Sequence, residues 1–288
     1  MAGTAVLVSG GLDSAVLLAE EAARGDVQPI YVSVGLAWES AERAMIARLL
    51  AAPPLAGTVR PLVSLSVDMR DVYAATHWAV TGTPPAYHTP DEDVYLPGRN
   101  VVLLGKAGVF CAAAGVSRVV LGTLAHNPFP DATPEFRAAM AQALSLGLAH
   151  PIAIDAPYAD TSKAEVIRRG AMLGVPFELT LSCMHPQVRK VRKVREVLGV
   201  RQVLGVLQAH KSTEPQEPNE PTEHREPNEP REPREPTEPG EPREPSEPSE
   251  PDPIHCGLCS KCRERHDAFV EADVIDPTHY ADERFVRV

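Results

Sequence analysis

From residue 213 to residue 253 the chain places proline at nearly every third position, in about a dozen Xaa-Glu-Pro repeats. Proline fixes φ and has no N–H to donate, so this run cannot enter a helix interior or a central strand. Repulsion between the glutamates extends it further, and a disordered, partly polyproline-II segment is expected. The run divides the chain into residues 1–186, which can build an α/β domain, a low-complexity insertion over 187–253, and a cysteine-rich segment over 254–288. Two roles suit the insertion: filler without a function, or a docking arm for a proline-binding protein. It also explains the charge. Between residues 214 and 253 there are thirteen Glu and one Asp against four Arg, a net of −10 out of the chain's −11. The remainder is near neutral, so charge gives no argument for nucleic-acid binding. No apolar run approaches the ~20 residues that span a bilayer. The first residues lack a basic-then-apolar leader, so a soluble, cytoplasmic protein is expected.

Residues 6–18 read VLVSGGLDSAVLL. A valine-rich apolar run suits a buried parallel strand, Ser9-Gly10-Gly11 breaks it, and Asp13-Ser14 leads into a helix. A strand, a glycine turn and a helix N-terminus together make an anion site, since backbone N–H groups can approach a phosphate closely. Val8, Ser9, Gly10, Gly11, Leu12, Asp13, Ser14 and Ala15 are the candidate nucleotide-holding residues. Ser9 and Ser14 add hydroxyls. Asp13 beside a phosphate calls for a cation between them, and magnesium suits that place. The plainer alternative is a strand–helix turn capped by Asp13. The full Ser-Gly-Gly-Leu-Asp-Ser resembles the signature of the PP-loop ATP pyrophosphatases; the Gly-Lys-Ser/Thr of a Walker A loop is missing.

Further strands are expected at 27–35, 61–67, 119–123 and 152–154, with helices at 40–51, 101–114, 134–146 and 163–173. Strands alternating with helices predict a doubly wound parallel sheet, with ligands beyond the carboxyl ends of its strands. Residues 72–95 read as a long loop near the site, and residues 177–181 as strand-like. Ser40 is a candidate cap of the second helix. Thr161 or Ser162 caps the helix at 163, with Glu165 placed for a capping box. The near-repeats over 188–207 suit a basic helix interrupted by glycine. Cys111, on an Ala- and Gly-rich helix, is assigned to the core.

Cys256, Cys259 and Cys262 lie three residues apart, in a knuckle that can wrap one zinc ion. Zinc takes four tetrahedral ligands, and Cys183 is the best candidate for the fourth, with His255 or His185 as substitutes. A site filled by four cysteines has no open position and is structural. The insertion would then sit inside a metal-closed loop with its ends close together, which costs little extra closure entropy.

Five motifs in order resemble the 7-cyano-7-deazaguanine synthases, PP-loop enzymes of queuosine biosynthesis. They are Ser9 to Ser14, Pro97-Gly98-Arg99-Asn100, Pro130-Asp131 with Pro134-Glu135-Phe136, Lys163-Ala164-Glu165, and Cys183 with the Cys256–Cys262 knuckle. The resemblance implies ATP-dependent conversion of 7-carboxy-7-deazaguanine and ammonia to the nitrile, through an acyl-adenylate and an amide. It implies Asp13, Ser14 and Lys163 as catalytic residues, Arg99, Asn100 and Asp131 at the substrate, ATP with Mg2+, one structural Zn2+, and a homodimer. Helix capping is the plainer role for Arg99, Asn100 and Asp131, and a solvated helix start for Lys163. Where the family carries a Tyr-Gly-Gln-Arg-His-like stretch, this chain reads Val34-Gly35-Leu36-Ala37-Trp38, and Leu124 to Phe129 also differ. A related ligase for another acid or amine, or a silent nucleotide-binding module, are the alternatives.

Overall fold

The computed structural model describes residues 3–188 and 252–286. Five strands form one sheet: β1 (Thr4–Leu7), β2 (Val27–Ser33), β3 (Val63–Ser66), β4 (Arg118–Val120) and β5 (Ala153–Asp155). Their order is β3-β2-β1-β4-β5, and every neighbouring pair is parallel. Val6 of β1 stands between Pro29 and Val120. The chain runs outward from β1 through β2 and β3, then returns to the other side of β1 for β4 and β5. Strand order therefore reverses between β1 and β4, which puts a crevice at their carboxyl ends. This is the expected doubly wound sheet.

The helices are α1 (Leu12–Arg24), α2 (Glu39–Leu50), α3 (Trp78–Thr81), α4 (Arg99–Ala114), α5 (Pro134–Leu148), α6 (Lys163–Met172) and α7 (Ser260–Ala272). They cover both faces of the sheet, so its strands alternate between two apolar cores rather than between core and water. Ala5, Ile30 and Val119 pack with Leu104, Ala107 and Cys111 of α4, whereas Val6, Tyr31 and Val120 pack with residues of α1, α6 and α7. Cys111 is fully buried, and burial pushes its thiol up to about 11. It is a core residue, as expected. Among the described residues no helix is long and apolar enough to cross a membrane.

Several local expectations differ from what forms. Residues 177–181 are not a strand: Phe177–Leu179 is a 3-10 turn, closed by Thr180 donating to the Phe177 carbonyl. Pro176 precedes it, and Phe177 turns into the core. Ser40 does not cap α2, because the helix begins one residue earlier at Glu39. Ser162 does cap α6, accepting from the Glu165 N–H at 3.2 Å, but the Glu165 carboxylate turns to Arg168 and Arg169 instead of closing a capping box. The long loop at 72–95 holds α3 and a 3-10 turn at Asp91–Val94.

The basic helix expected over 188–207 and the Glu-Pro repeats lie outside the described residues, apart from Val188, Asp252 and Pro253 at their borders. Those borders are paired. β6 (Gln187–Val188) and β7 (Pro253–Ile254) run antiparallel with Val188 opposite Pro253, so the two sides of the insertion meet as the metal-closed loop requires.

Candidate active site

At the crevice, β1 runs into a turn whose hydroxyls knit it together. Ser9 N donates to Ser14 Oγ at 3.2 Å, Gly11 N to Ser9 Oγ at 3.3 Å, and Ser14 Oγ to the Gly11 carbonyl at 3.0 Å. Gly10 holds φ +72°, and a Cβ there would lie 3.0 Å from Ile46 Cγ1 and 3.2 Å from the Glu42 carbonyl. Only glycine makes this turn without strain. α1 starts after Gly11 with no side-chain cap, leaving first-turn N–H groups directed at the crevice.

A cavity of about 280 Å³ opens over this turn, lined by Val8, Ser9, Gly11, Asp13 and Ser14 together with Arg99, Asn100 and Asp131. A second, of about 330 Å³, shares Ser9, Gly11, Asp13 and Arg99 and extends to Lys163, Trp38 and Trp78. The expected site residues are thus brought together from β1, α1, α4, α6 and the 3-10 turn Pro130–Ala132. Gly10, which shapes the turn, lies outside both linings. Leu12 and Ala15 also differ: both side chains are buried in the core behind α1, and the Ala15 N–H already donates to the Gly11 carbonyl at 3.0 Å. Neither lines the cavities.

Lys163 Nζ sits 3.0 Å from Asp13 Oδ2 and 2.6 Å from Glu264 Oε1, and Lys261 reaches the other Glu264 oxygen at 2.5 Å. Burial works against charge on Lys163, but Asp13 and Glu264 outweigh it and hold the ammonium above its ordinary value. Likewise burial raises the Glu264 carboxyl, yet the two lysines bring it down to about 2. Asp13 Oδ1 is buried without a hydrogen-bond partner, as is Arg99 Nε. A buried, unpartnered carboxylate oxygen is costly unless something binds it, and a hard cation with oxygen ligands suits it.

Asp131 is tied to the start of α4. Its Oδ2 accepts from Asn100 N at 3.1 Å, its Oδ1 from Asn100 Nδ2 at 3.3 Å, and its carbonyl from the same amide at 3.1 Å. It therefore caps α4 from a distance while lining the cavity.

The wall of the second cavity around Trp38 is acidic and aromatic. Trp38 and Trp78 stack at 5.7 Å between ring centroids, and Glu42 accepts from Trp38 Nε1 at 3.1 Å and from the Tyr31 hydroxyl at 2.8 Å. Burial pushes the Glu42 carboxyl up to about 7, against the pull of the Arg99 guanidinium. Neighbouring Glu39 closes the chain reversal after β2, accepting from Val34 N at 2.7 Å and from Ser33 Oγ. Sequence reasoning missed Tyr31, Glu42, Trp78, Lys261 and Glu264. The one local signal was helical spacing, which puts Trp38 and Glu42 on one face of α2.

Beside this site, Cys183, Cys256, Cys259 and Cys262 bring their sulfurs within 4.8 Å of one another. Separations of 4.0 Å for Cys183–Cys259, 3.8 Å for Cys256–Cys262 and 3.5 Å for Cys259–Cys262 bracket the edge of about 3.8 Å that a tetrahedron with ~2.3 Å Zn–S bonds requires. Backbone N–H groups of His185 and Cys256 donate to Cys183 Sγ, and that of Leu258 donates to Cys256 Sγ. Gly257 makes the knuckle's turn at φ +76°, where a Cβ would meet the Asp282 carbonyl oxygen at 1.9 Å. The substitute ligands are engaged elsewhere: His255 Nε2 accepts from Ser182 N at 3.1 Å, and His185 Nδ1 lies 2.6 Å from the Gly82 carbonyl. The donor set therefore fits a tetrahedral thiophilic metal held by the four cysteines.

A doubly wound parallel sheet with a glycine turn at its switch point, beside four cysteines placed to hold a metal, defines an α/β protein with a crevice site at the carboxyl ends of its strands. Residues 4–193 match the family described as queuosine biosynthesis protein QueC. The chain belongs to that family. Among curated relatives, it is 32% identical over 185 residues to the 7-cyano-7-deazaguanine synthase of Azoarcus sp. (strain BH72), covering 62% of this chain and 80% of that one. It is 34% identical over 193 residues to the Anaeromyxobacter dehalogenans (strain 2CP-C) synthase, covering 63% and 81%. Relatives named as synthases place it among ligase-type enzymes of queuosine biosynthesis.

Proposed function

We propose that the chain converts 7-carboxy-7-deazaguanine and ammonia to 7-cyano-7-deazaguanine, using ATP. The observation that carries this reading is Asp13, with a buried unpartnered oxygen, set in a glycine turn over a cavity in a QueC-family chain. A carboxylate is a poor electrophile until one oxygen can leave. Its oxygen attacks the α-phosphorus of ATP, the bond to pyrophosphate breaks, and an acyl-adenylate forms. Ammonia then adds to the carbonyl carbon, AMP leaves, a proton is lost, and the amide results. The amide oxygen attacks the α-phosphorus of a second ATP, the bond to pyrophosphate breaks, and the adenylated amide loses AMP and its two nitrogen-bound protons to give the nitrile.

This chemistry asks mainly for positioning and charge neutralisation. The Ser9 hydroxyl and the uncapped first-turn N–H groups of α1 would offer donors to the pyrophosphate side, and Lys163 a cation. Arg99, through its unpartnered Nε, meets the substrate's or adenylate's negative charge. Asn100 and Asp131 form the wall against which the base is held. Mg2+ bound by Asp13 would neutralise phosphate charge. Zn2+ on the four cysteines would be structural, since four protein ligands leave no open position. With this reading go a homodimer, a cytoplasmic setting, and residues 1–186 as the ATP-binding domain closed by the 254–288 segment.

The Trp38–Trp78–Glu42 wall favours a second reading, a PP-loop ligase for a different acid or amine. One experiment separates them: mass spectrometry of products after incubation with ATP, Mg2+, ammonium and 7-carboxy-7-deazaguanine. Appearance of the nitrile with AMP is expected. Absence of both amide and nitrile, in protein that releases AMP with another acid, would replace the first reading by the second.

A further inference from the structure

Glu264 links the metal-site helix to the nucleotide turn. Glu264 lies in the first turns of α7, two residues after Cys262, and reaches Lys163 at the first position of α6. Lys163 in turn reaches Asp13 in the turn that follows β1. The three side chains are largely screened from solvent, at 22%, 12% and 24% exposure respectively. Lys163 thus stands between two carboxylates, Glu264 shares its other oxygen with Lys261 at 2.5 Å, and Asp13 keeps a second oxygen, Oδ1, that is buried and unpartnered.

Without Glu264, the whole charge of Lys163 would fall on Asp13. A like charge beside the cation position disfavours a second cation there, and an anion that shares the first one relieves it. We propose that Glu264 is a positioning residue: it draws Lys163 toward α7 and so leaves Asp13 able to hold a divalent cation with nucleotide phosphates. The inference rests on the nucleotide reading of the site. It gives the cysteine centre a second consequence, because the knuckle that wraps the metal also delivers the carboxylate that sets the charge at the nucleotide turn.

The test is Mn2+ binding, followed by electron paramagnetic resonance on the full zinc-loaded chain in the presence of α,β-methylene ATP. Glu264→Gln should weaken Mn2+ binding at least ~threefold with zinc content unchanged, and Glu264→Asp should fall between it and the native protein. In a Lys163→Met background the Glu264→Gln change should have no effect, because Glu264 acts through that ammonium. Equal Mn2+ affinity in native protein and Glu264→Gln overturns the proposal while leaving the nucleotide reading intact. No nucleotide-dependent Mn2+ uptake by the native protein overturns both. Should Glu264→Gln fail to fold or lose its zinc, the Glu264→Asp variant decides, and native affinity there overturns the proposal.

Discussion

Glu42 and Asp13 are both acidic groups facing one crevice, yet their surroundings ask different things of them. Glu42 is sealed by Tyr31 and Trp38, and burial moves its carboxyl from 4.5 to about 7. A carboxyl raised on folding stabilises the fold fully below its unfolded value, and the contribution is lost as pH rises through the folded value. Stability held by Glu42 should therefore fall between about pH 4.5 and 7, by roughly 3 kcal/mol in all. Replacing Glu42 by Gln removes that dependence: thermal unfolding should show the variant gaining on the native protein at about pH 8 and matching it near pH 4.5. An equal offset at both pH values would mean that Glu42 stays ionised throughout. Asp13 offers an oxygen with nothing bound to it. Asp13→Asn keeps the turn and removes the charge, so AMP formation should vanish while circular dichroism and melting stay native. Native rates of AMP release would remove Asp13 from the mechanism.

Among the elements, those written in local period and punctuation were readable from the chain. The strand–glycine–helix start, Ser162 ahead of its helix, and the cysteine spacing each depend on residues within a few positions of one another. What escaped is long-range. Glu264 meets Lys163 across 101 positions, and nothing near either residue announces the pair. The 177–181 run misled because alternating apolar and polar residues satisfy a strand's period, whereas the turn there is set by Arg265, which donates to the Phe177 carbonyl at 2.8 Å and to Thr180 Oγ1 at 2.8 Å. The β6–β7 pair bears on the insertion. Deleting residues 213–251 more than halves the chain between Val188 and Pro253. Shortening such a loop lowers closure entropy by less than ~1 kcal/mol, and Glu-Pro repeats carry too little apolar surface to contribute to a core. Melting temperature and ATP turnover should therefore stay nearly constant in the deletion. A large loss of either would assign the repeats a docked role.

At the scale of the molecule, the C-terminal segment is fastened to the sheet domain by several contacts beyond the β6–β7 pair and the Glu264–Lys163 bridge, and the four cysteines come from both sides of that junction. Arg265 is fully buried, donating to Phe177, Thr180 and Thr278 across the core. Phe269 packs edge-on against Phe177 at 5.3 Å between centroids. Cys183 comes from the domain and Cys256, Cys259 and Cys262 from the knuckle, so a metal bound by all four crosslinks the two. Small structural zinc sites contribute on the order of 10 kcal/mol, more than a buried arginine and one aromatic pair supply. The protein should purify with one zinc per chain, and Cys183→Ser should lower zinc content and loosen the tail together. Elemental analysis would follow the first effect, and limited proteolysis or hydrogen exchange over residues 252–286 the second. Loosening should also reach the nucleotide turn, because Glu264 leaves with α7 and Lys163 then has Asp13 alone. Full zinc retention in Cys183→Ser would move the fourth ligand to a histidine, and His255 would have to give up its bond from Ser182 N to serve. A reduced, chelator-free preparation without zinc would dismiss the centre and with it the crosslink.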